Sequence, residues 1–138
     1  MSPLAGAAGV ALAIVVAQPL LPPDGLVQVV EVPPVVAGAD GELSVTILEA
    51  PAAGVPLELR LQAEGVRVVE NRLGWSSVVD PLAQQPRLRT RFVAPAEPGR
   101  YVVRGLLRYV TCDEDDTCLP HVVSVSWVVD VEAPAEPL

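Results

Sequence analysis

Short runs of alternating apolar and polar residues dominate this chain from about residue 26 onward. The clearest is Leu57–Gln62, in which three leucines alternate with Glu, Arg and Gln. A period of two places the apolar side chains on one face of an extended strand, as a half-buried antiparallel sheet requires. Similar runs predict six further strands, at Leu26–Val32, Leu43–Ile47, Val66–Glu70, Arg87–Val93, Tyr101–Thr111 and Val122–Val131.

Turn-forming residues separate these runs, notably Ala39–Gly41, Glu64–Gly65 and the Pro- and Gly-containing segment 94–99. The 15 prolines disfavour long helices, because a proline inside a helix costs roughly 3 kcal/mol. Seven short strands predict an all-β fold, an immunoglobulin-like antiparallel β-sandwich of about seven strands. The widely spaced cysteine pair that joins the two sheets of true immunoglobulin domains is missing.

The chain of 138 residues fits one domain, and we predict the sandwich over residues 25–132. Residues 1–24 form a signal-like or flexible segment, in which Leu4–Ala17 is uncharged and too short to span a bilayer. No basic residue precedes that stretch, so an apolar segment that stays and packs as an extra strand is the alternative. We predict a tail or linker at the proline-rich residues 133–138, and no stable membrane span in the mature domain.

The residue inventory excludes several kinds of chemistry. The chain has one histidine, His121, and no lysine. It has nine arginines and seventeen acidic residues, which give a net charge of −8. A metal site that needs two histidines is excluded, and a Ser-His-Asp triad would have to use His121. Scattered arginines on an acidic chain also argue against a nucleic-acid partner.

The two cysteines flank an acidic loop between the last two predicted strands. If these strands form a hairpin, Cys112 and Cys118 lie nearly opposite each other, with Cα atoms about 4.5–5.5 Å apart. That spacing overlaps the range of roughly 4.4–6.8 Å found in disulfides. Closing so short a loop contributes only about 2.4 kcal/mol. The bond could therefore be a modest structural link or a bond that is made and broken in use.

The run from Arg108 to Pro120, R-Y-x-x-C-x5-C-L-P, precedes a valine-rich strand. It resembles the N-terminal periplasmic domain of the thiol:disulfide interchange protein DsbD family. Two positions depart from that family, since Val110 replaces a frequent glutamine and His121 a frequent second proline. The resemblance implies a sandwich with a redox-active cysteine pair, reduced by a thioredoxin-fold or membrane thiol-transporter protein. The pair would then reduce oxidised proteins outside the cytoplasm, in the periplasm or an equivalent compartment, without a cofactor.

Carried over by position, Cys118 would form mixed disulfides with partners and Cys112 would resolve them. The four acids of the loop, Asp113 among them, should raise the thiol pKa above its usual value near 8.5. A protonated His121 close to Cys118 would lower that pKa instead. Tyr109 is the aromatic residue that introduces the motif, and Trp75 could cap the disulfide, as a loop does in the DsbD family. The alternatives are that His121 is an ordinary strand residue and that Trp75 packs into the sandwich edge.

Metal sites fit the same loop poorly. The acids lack the glycine and terminal glutamate of a calcium loop, and the Cys112–Cys118 spacing is wide for zinc even with His121 as a third ligand. A blue-copper site would need a second histidine. Two functions remain: an extracytoplasmic thiol-disulfide relay, or a non-catalytic immunoglobulin-like binding module with a structural disulfide.

Overall fold

The computed structural model describes residues 26–135, so the signal-like segment and the last three residues of the tail lie outside the described residues. Nine strands and one short 3-10 helix (Trp75–Ser77) follow each other along the described part. The strands are β1 (Val27–Val29), β2 (Val35–Val36), β3 (Asp40–Ile47), β4 (Glu58–Ala63), β5 (Arg67–Val68), β6 (Arg72–Leu73), β7 (Arg87–Val93), β8 (Gly99–Cys112) and β9 (Cys118–Glu132).

The strands form two sheets, in the orders β1-β3-β7-β5 and β2-β9-β8-β4-β6. All neighbours are antiparallel except β2, which runs parallel to β9. This is the strand order of an immunoglobulin sandwich, with a four-stranded sheet facing the sheet that contains the last two long strands. The predicted fold class is confirmed. The structure has nine strands rather than seven, because β2 and β6 are two-residue strands, too short to show an alternating pattern.

The core lies between the sheets and is built from the apolar positions of the alternating strands. Leu59 and Leu61 of β4 and Val125, Trp127 and Val129 of β9 are buried, as period-two alternation requires.

A buried hydrogen bond joins the two sheets. The Trp127 indole Nε1–H donates to the Ser44 carbonyl across the core, at 3.0 Å. Trp127 belongs to the five-stranded sheet and Ser44 to the other, so this buried core residue also connects the two layers.

The β8–β9 hairpin is the longest element of the fold. Fourteen residue pairs run without interruption from Gly99↔Val131 to Cys112↔Cys118. The strands extend further than predicted, so that the cysteines and Leu119–His121 belong to the ribbon and not to the loop. No helix within residues 26–135 is long and apolar enough to cross a bilayer.

Candidate functional site

The tip of the β8–β9 hairpin carries an exposed disulfide. Cys112 ends β8, Cys118 begins β9, and the two form the last pair of the ribbon. Their Sγ atoms are bonded at 2.08 Å and their Cα atoms lie 4.0 Å apart. This Cα separation is shorter than the expected 4.5–5.5 Å, and the two residues form a non-hydrogen-bonded pair, the closer of the two antiparallel pairings. Both residues are solvent-exposed.

Five residues lie between the cysteines, and the inner three, between Asp113 and Thr117, form a hairpin loop with a bulge. The Asp113 N–H donates to the Thr117 carbonyl at 2.9 Å, and the Asp116 N–H donates to the Asp113 carbonyl at 3.1 Å. Asp116 adopts a left-handed conformation, with φ of 59°. A type I turn followed by a left-handed residue is a common way to close a hairpin in three residues, and aspartate tolerates that conformation better than most residues.

The Asp113 side chain holds this loop together. Its Oδ1 accepts hydrogen bonds from the Asp115 and Thr117 N–H groups, both at 2.9 Å. A carboxylate that bonds backbone N–H groups two and four residues ahead stabilises a turn directly. The residue predicted to act on the thiols through its charge therefore also fixes the backbone between them.

The ribbon has two distinct faces, because its register is unbroken and side chains alternate along each strand. The disulfide lies on the outer face, which points away from the other sheet. Val110, Pro120 and Val122 share that face. The inner face continues the core of the sandwich toward the tip.

Tyr109 and His121 lie on the inner face, opposite each other and away from the sulfurs. Tyr109 is only 2% exposed and belongs to the core. Its ring stacks on the His121 imidazole, with centroids 4.9 Å apart and an angle of 27° between the rings. The His121 Nε2 forms a hydrogen bond with Thr111 Oγ1, at 2.8 Å. The structure thus brings these two candidate modulators to each other but not to the cysteines.

Thr111 is a site residue that the sequence analysis missed. Its spacing in the sequence could have revealed it. Once Cys112 is paired with Cys118, residues 109 and 111 of one strand lie on the same face of the ribbon as residue 121 of the other.

Pro120 lies inside β9 without breaking the ladder. It faces Val110 in a non-hydrogen-bonded pair, so the missing N–H would have pointed away from β8 to the open edge. The Val110 carbonyl likewise points away from β9 and accepts a hydrogen bond from the Ala52 N–H, at 2.7 Å. The loop that contains Ala52 therefore supports β8 two residues before Cys112.

Trp75 is tied to a neighbouring loop. Its indole Nε1–H donates to the Val55 carbonyl at 2.8 Å, and the ring packs against the core cluster. Because Cys112 and Cys118 are exposed, no side chain within residues 26–135 covers the disulfide as a cap. The placement of Trp75 agrees with the alternative of packing into the sandwich edge.

The outer face of the ribbon carries exposed apolar and basic side chains, beginning four residues from the cysteine pair. Val122 is 62% exposed. Arg104 and Arg108 of β8 lie on the same face, and neither forms an ion pair within residues 26–135. The sequence analysis did not single out this surface, because the register decides which exposed residues lie beside the sulfurs.

A calcium, zinc or copper site needs several ligand side chains close together. The described residues contain no group of three or more His, Cys, Asp or Glu side chains that could hold an ion. Cys112 and Cys118 are bonded to each other, and His121 lies on the opposite face of the ribbon. These three residues do not form a zinc ligand set.

No family model and no curated protein matches the chain. Among solved structures, it is similar to an ASH / PapD-like domain of human CEP192, PapD-like domain 7. The identity is 9% and the TM-score 0.42, and the match covers 80% of this chain and 87% of that one.

Proposed function

We propose that this domain is an extracytoplasmic thiol-disulfide relay, in which Cys112 and Cys118 alternate between a disulfide and two thiols. The observation that carries the proposal is the position of the disulfide. It lies on one face of a ribbon tip, and both cysteine residues are solvent-exposed.

The energetics support exchange more than a purely structural role. The disulfide joins two residues that are already opposed by an unbroken ladder of fourteen pairs. A bond across so short a loop contributes only about 2.4 kcal/mol by chain entropy, roughly half the value for a hundred-residue loop. A cross-link between distant strands would stabilise the sandwich more.

The proposed reaction moves two electrons and two protons. A thiolate of a reduced thioredoxin-fold partner attacks Cys118 Sγ, the Cys112–Cys118 bond breaks, and Cys112 leaves as a thiolate that takes up a proton. The partner's second thiol loses its proton and attacks the partner's own sulfur in the mixed disulfide. Cys118 is then released and protonated, which leaves an oxidised partner and a reduced domain. The reverse steps reduce an oxidised client protein.

The outer face is the side from which a partner reaches the sulfurs. Val122 offers apolar contact about 13 Å along β9 from Cys118. Arg108, which faces Val122 across the ribbon, offers a charge that forms no ion pair within residues 26–135. The acidic loop at the tip repels small anionic thiols, so a protein with a matching surface is favoured over a thiol such as glutathione. A thioredoxin-fold protein or the periplasmic part of a membrane thiol transporter fits this description.

The test uses the folded, oxidised domain and a thioredoxin whose second active-site cysteine is replaced by serine, which traps the first mixed disulfide. We expect a covalent complex through Cys118. Cleavage at the acids between residues 112 and 118 separates the two cysteines, so that mass spectrometry can assign the link.

A complex through Cys112 would contradict the assigned roles of the two cysteines. If the native domain keeps its disulfide in the presence of wild-type reduced thioredoxin, the relay is contradicted. That result would support the alternative, a binding module with a structural disulfide. The Cys112→Ser/Cys118→Ser variant is the control for non-covalent association.

A further inference from the structure

We infer that Asp113 is a positioning residue, which keeps the two thiols opposed after the disulfide is reduced and thereby sets the redox equilibrium of the pair. The role of Asp113 in function rests on the proposed relay, whereas its effect on the stability of the disulfide does not. It is carried by the contacts of the Asp113 side chain in the loop.

The first step concerns what holds the loop closed. Apart from the disulfide, four hydrogen bonds close it, two between backbone groups and two to Asp113 Oδ1. None of the four uses a sulfur atom. They can therefore persist when the Cys112–Cys118 bond is broken.

The second step concerns the left-handed residue. Asp116 has a φ of 59°, a conformation that costs a non-glycine residue free energy. The turn needs a compensating interaction to hold that conformation once the cross-link is gone. The two bonds to Asp113 span it, because the Asp115 N–H precedes Asp116 and the Thr117 N–H follows it.

In the oxidised domain the cross-link keeps the loop closed whether or not Asp113 is present. In the reduced domain only the turn does so. A residue that stabilises the closed turn therefore raises the effective concentration of one thiol near the other, which favours the disulfide and speeds attack of Cys112 on a mixed disulfide at Cys118.

The experiment equilibrates the domain with glutathione redox buffers and measures the ratio of disulfide to dithiol. We expect Asp113→Ala to lower the equilibrium constant for disulfide formation about tenfold, which corresponds to about 30 mV toward a more oxidising potential. Asp113→Asn retains a side-chain oxygen acceptor and should restore most of the wild-type value. Glu114→Gln removes one charge from the same loop without removing a turn bond, and should change the equilibrium by less than about twofold.

A second measurement uses the reduced wild-type domain itself. NMR temperature coefficients of the Asp115 and Thr117 amide protons should show both to be hydrogen-bonded in the reduced wild type and solvent-exposed in reduced Asp113→Ala. This measurement does not depend on glutathione, and the wild-type part of it can be made even if one variant does not fold.

Three results would overturn the inference. These are an Asp113→Ala equilibrium within about twofold of wild type, an Asp113→Asn loss as large as that of alanine, or a Glu114→Gln effect as large as that of Asp113→Ala. Failure of the relay has a different signature, because it is a wild-type disulfide that resists thioredoxin, whereas the inference depends on differences among the variants and on the two amide protons of the reduced domain.

Discussion

At the scale of single residues, the chemistry near the cysteines depends on which face of the ribbon each side chain occupies. The sequence motif lists Tyr109, Cys112, Cys118 and His121 within thirteen positions and gives no hint that they divide into two groups. Alternation places the aromatic and imidazole rings toward the core and the sulfurs toward solvent. The two rings stabilise the base of the hairpin tip, and the disulfide is left without an adjacent acid-base group from this pair.

Replacing His121 with phenylalanine tests this division. His121→Phe keeps a ring against Tyr109 but removes both nitrogens, so the rate of disulfide exchange with dithiothreitol should stay within about twofold of wild type at about pH 6 and about pH 8. Stopped-flow measurement of thiol release gives the rate. A fivefold or larger change, on the order of 1 kcal/mol in the barrier, would mean that the imidazole reaches the reacting sulfurs.

The loss of the Thr111–His121 hydrogen bond should affect stability instead. We expect Thr111→Val to lower the free energy of unfolding by about 1 kcal/mol, measured by urea denaturation of the oxidised domain. The same variant should exchange with dithiothreitol at the wild-type rate, and a slower rate would place Thr111 in the redox chemistry.

At the scale of the element, the β8–β9 hairpin is held by its ladder and by its contacts with the sandwich rather than by the disulfide. The ribbon has no bulge along fourteen pairs, Pro120 occupies a position where a missing N–H breaks no ladder bond, and the loop around Ala52 supports the β8 edge. Such an element retains its shape when the disulfide opens, as an exchange cycle requires.

The double variant Cys112→Ser/Cys118→Ser should therefore fold. Its far-UV circular dichroism should match that of the wild type, and the free energy of unfolding should fall by no more than about 2.4 kcal/mol. A variant that is unfolded, or that loses much more stability, would indicate that the bond is primarily structural.

A pair of matched valines tests the face from which a partner approaches. Val122 and Val128 lie on the same face of β9 and are 62% and 46% exposed, but Val128 is six residues further from the tip, about 20 Å along the strand. Val122→Ser should slow reduction by thioredoxin about fivefold, as loss of one apolar contact worth about 1 kcal/mol implies. Val128→Ser should not, and neither variant should alter reduction by dithiothreitol. Equal effects of the two substitutions would contradict docking beside the disulfide.

At the scale of the whole molecule, the sandwich supplies a rigid base from which the hairpin projects. The two sheets are joined by core packing and by the hydrogen bond from Trp127 to the Ser44 carbonyl. The one disulfide in the described part of the chain lies at the hairpin tip, away from this core. The core can then remain unchanged through a redox cycle.

Trp127→Phe tests the connection between the sheets. The substitution removes the indole N–H, while the Ser44 carbonyl keeps its hydrogen bond from the Val30 N–H, at 3.1 Å. We therefore expect a loss of about 0.5–1.5 kcal/mol in unfolding free energy, more if the smaller ring leaves a cavity. Thermal and urea unfolding measure the loss. A variant as stable as wild type would mean that packing alone joins the sheets.

A close approach within the four-stranded sheet gives a second test of the core. A Cβ on Gly41 would lie 2.3 Å from Phe92 Cζ, and Phe92 is fully buried. Gly41→Ala should destabilise the domain by about 1–3 kcal/mol through overpacking. An unchanged melting temperature would show that the Phe92 ring can move aside.

Much of this arrangement could be predicted from the alternating pattern. Runs such as Leu57–Gln62 reveal a strand and its buried face, and the proline and glycine content excludes long helices, so the sandwich follows from local physics. The two-residue strands β2 and β6 could not be found, because their pairing depends on neighbours distant in sequence. The cysteine pairing was predictable because the hairpin is local. The separation of His121 from the sulfurs could not be predicted, because the predicted strand began at Val122, whereas β9 begins at Cys118 and its alternation already includes His121.

The reduction potential of the Cys112–Cys118 bond in the native domain tests the relay most directly. Equilibration against glutathione and thioredoxin buffers, followed by thiol alkylation and mass spectrometry, gives the value. The relay predicts a potential less negative than about −300 mV, together with reduction by thioredoxin while the domain stays folded. A potential below about −300 mV, with a bond that opens only on unfolding, would contradict the relay and assign the disulfide a structural role.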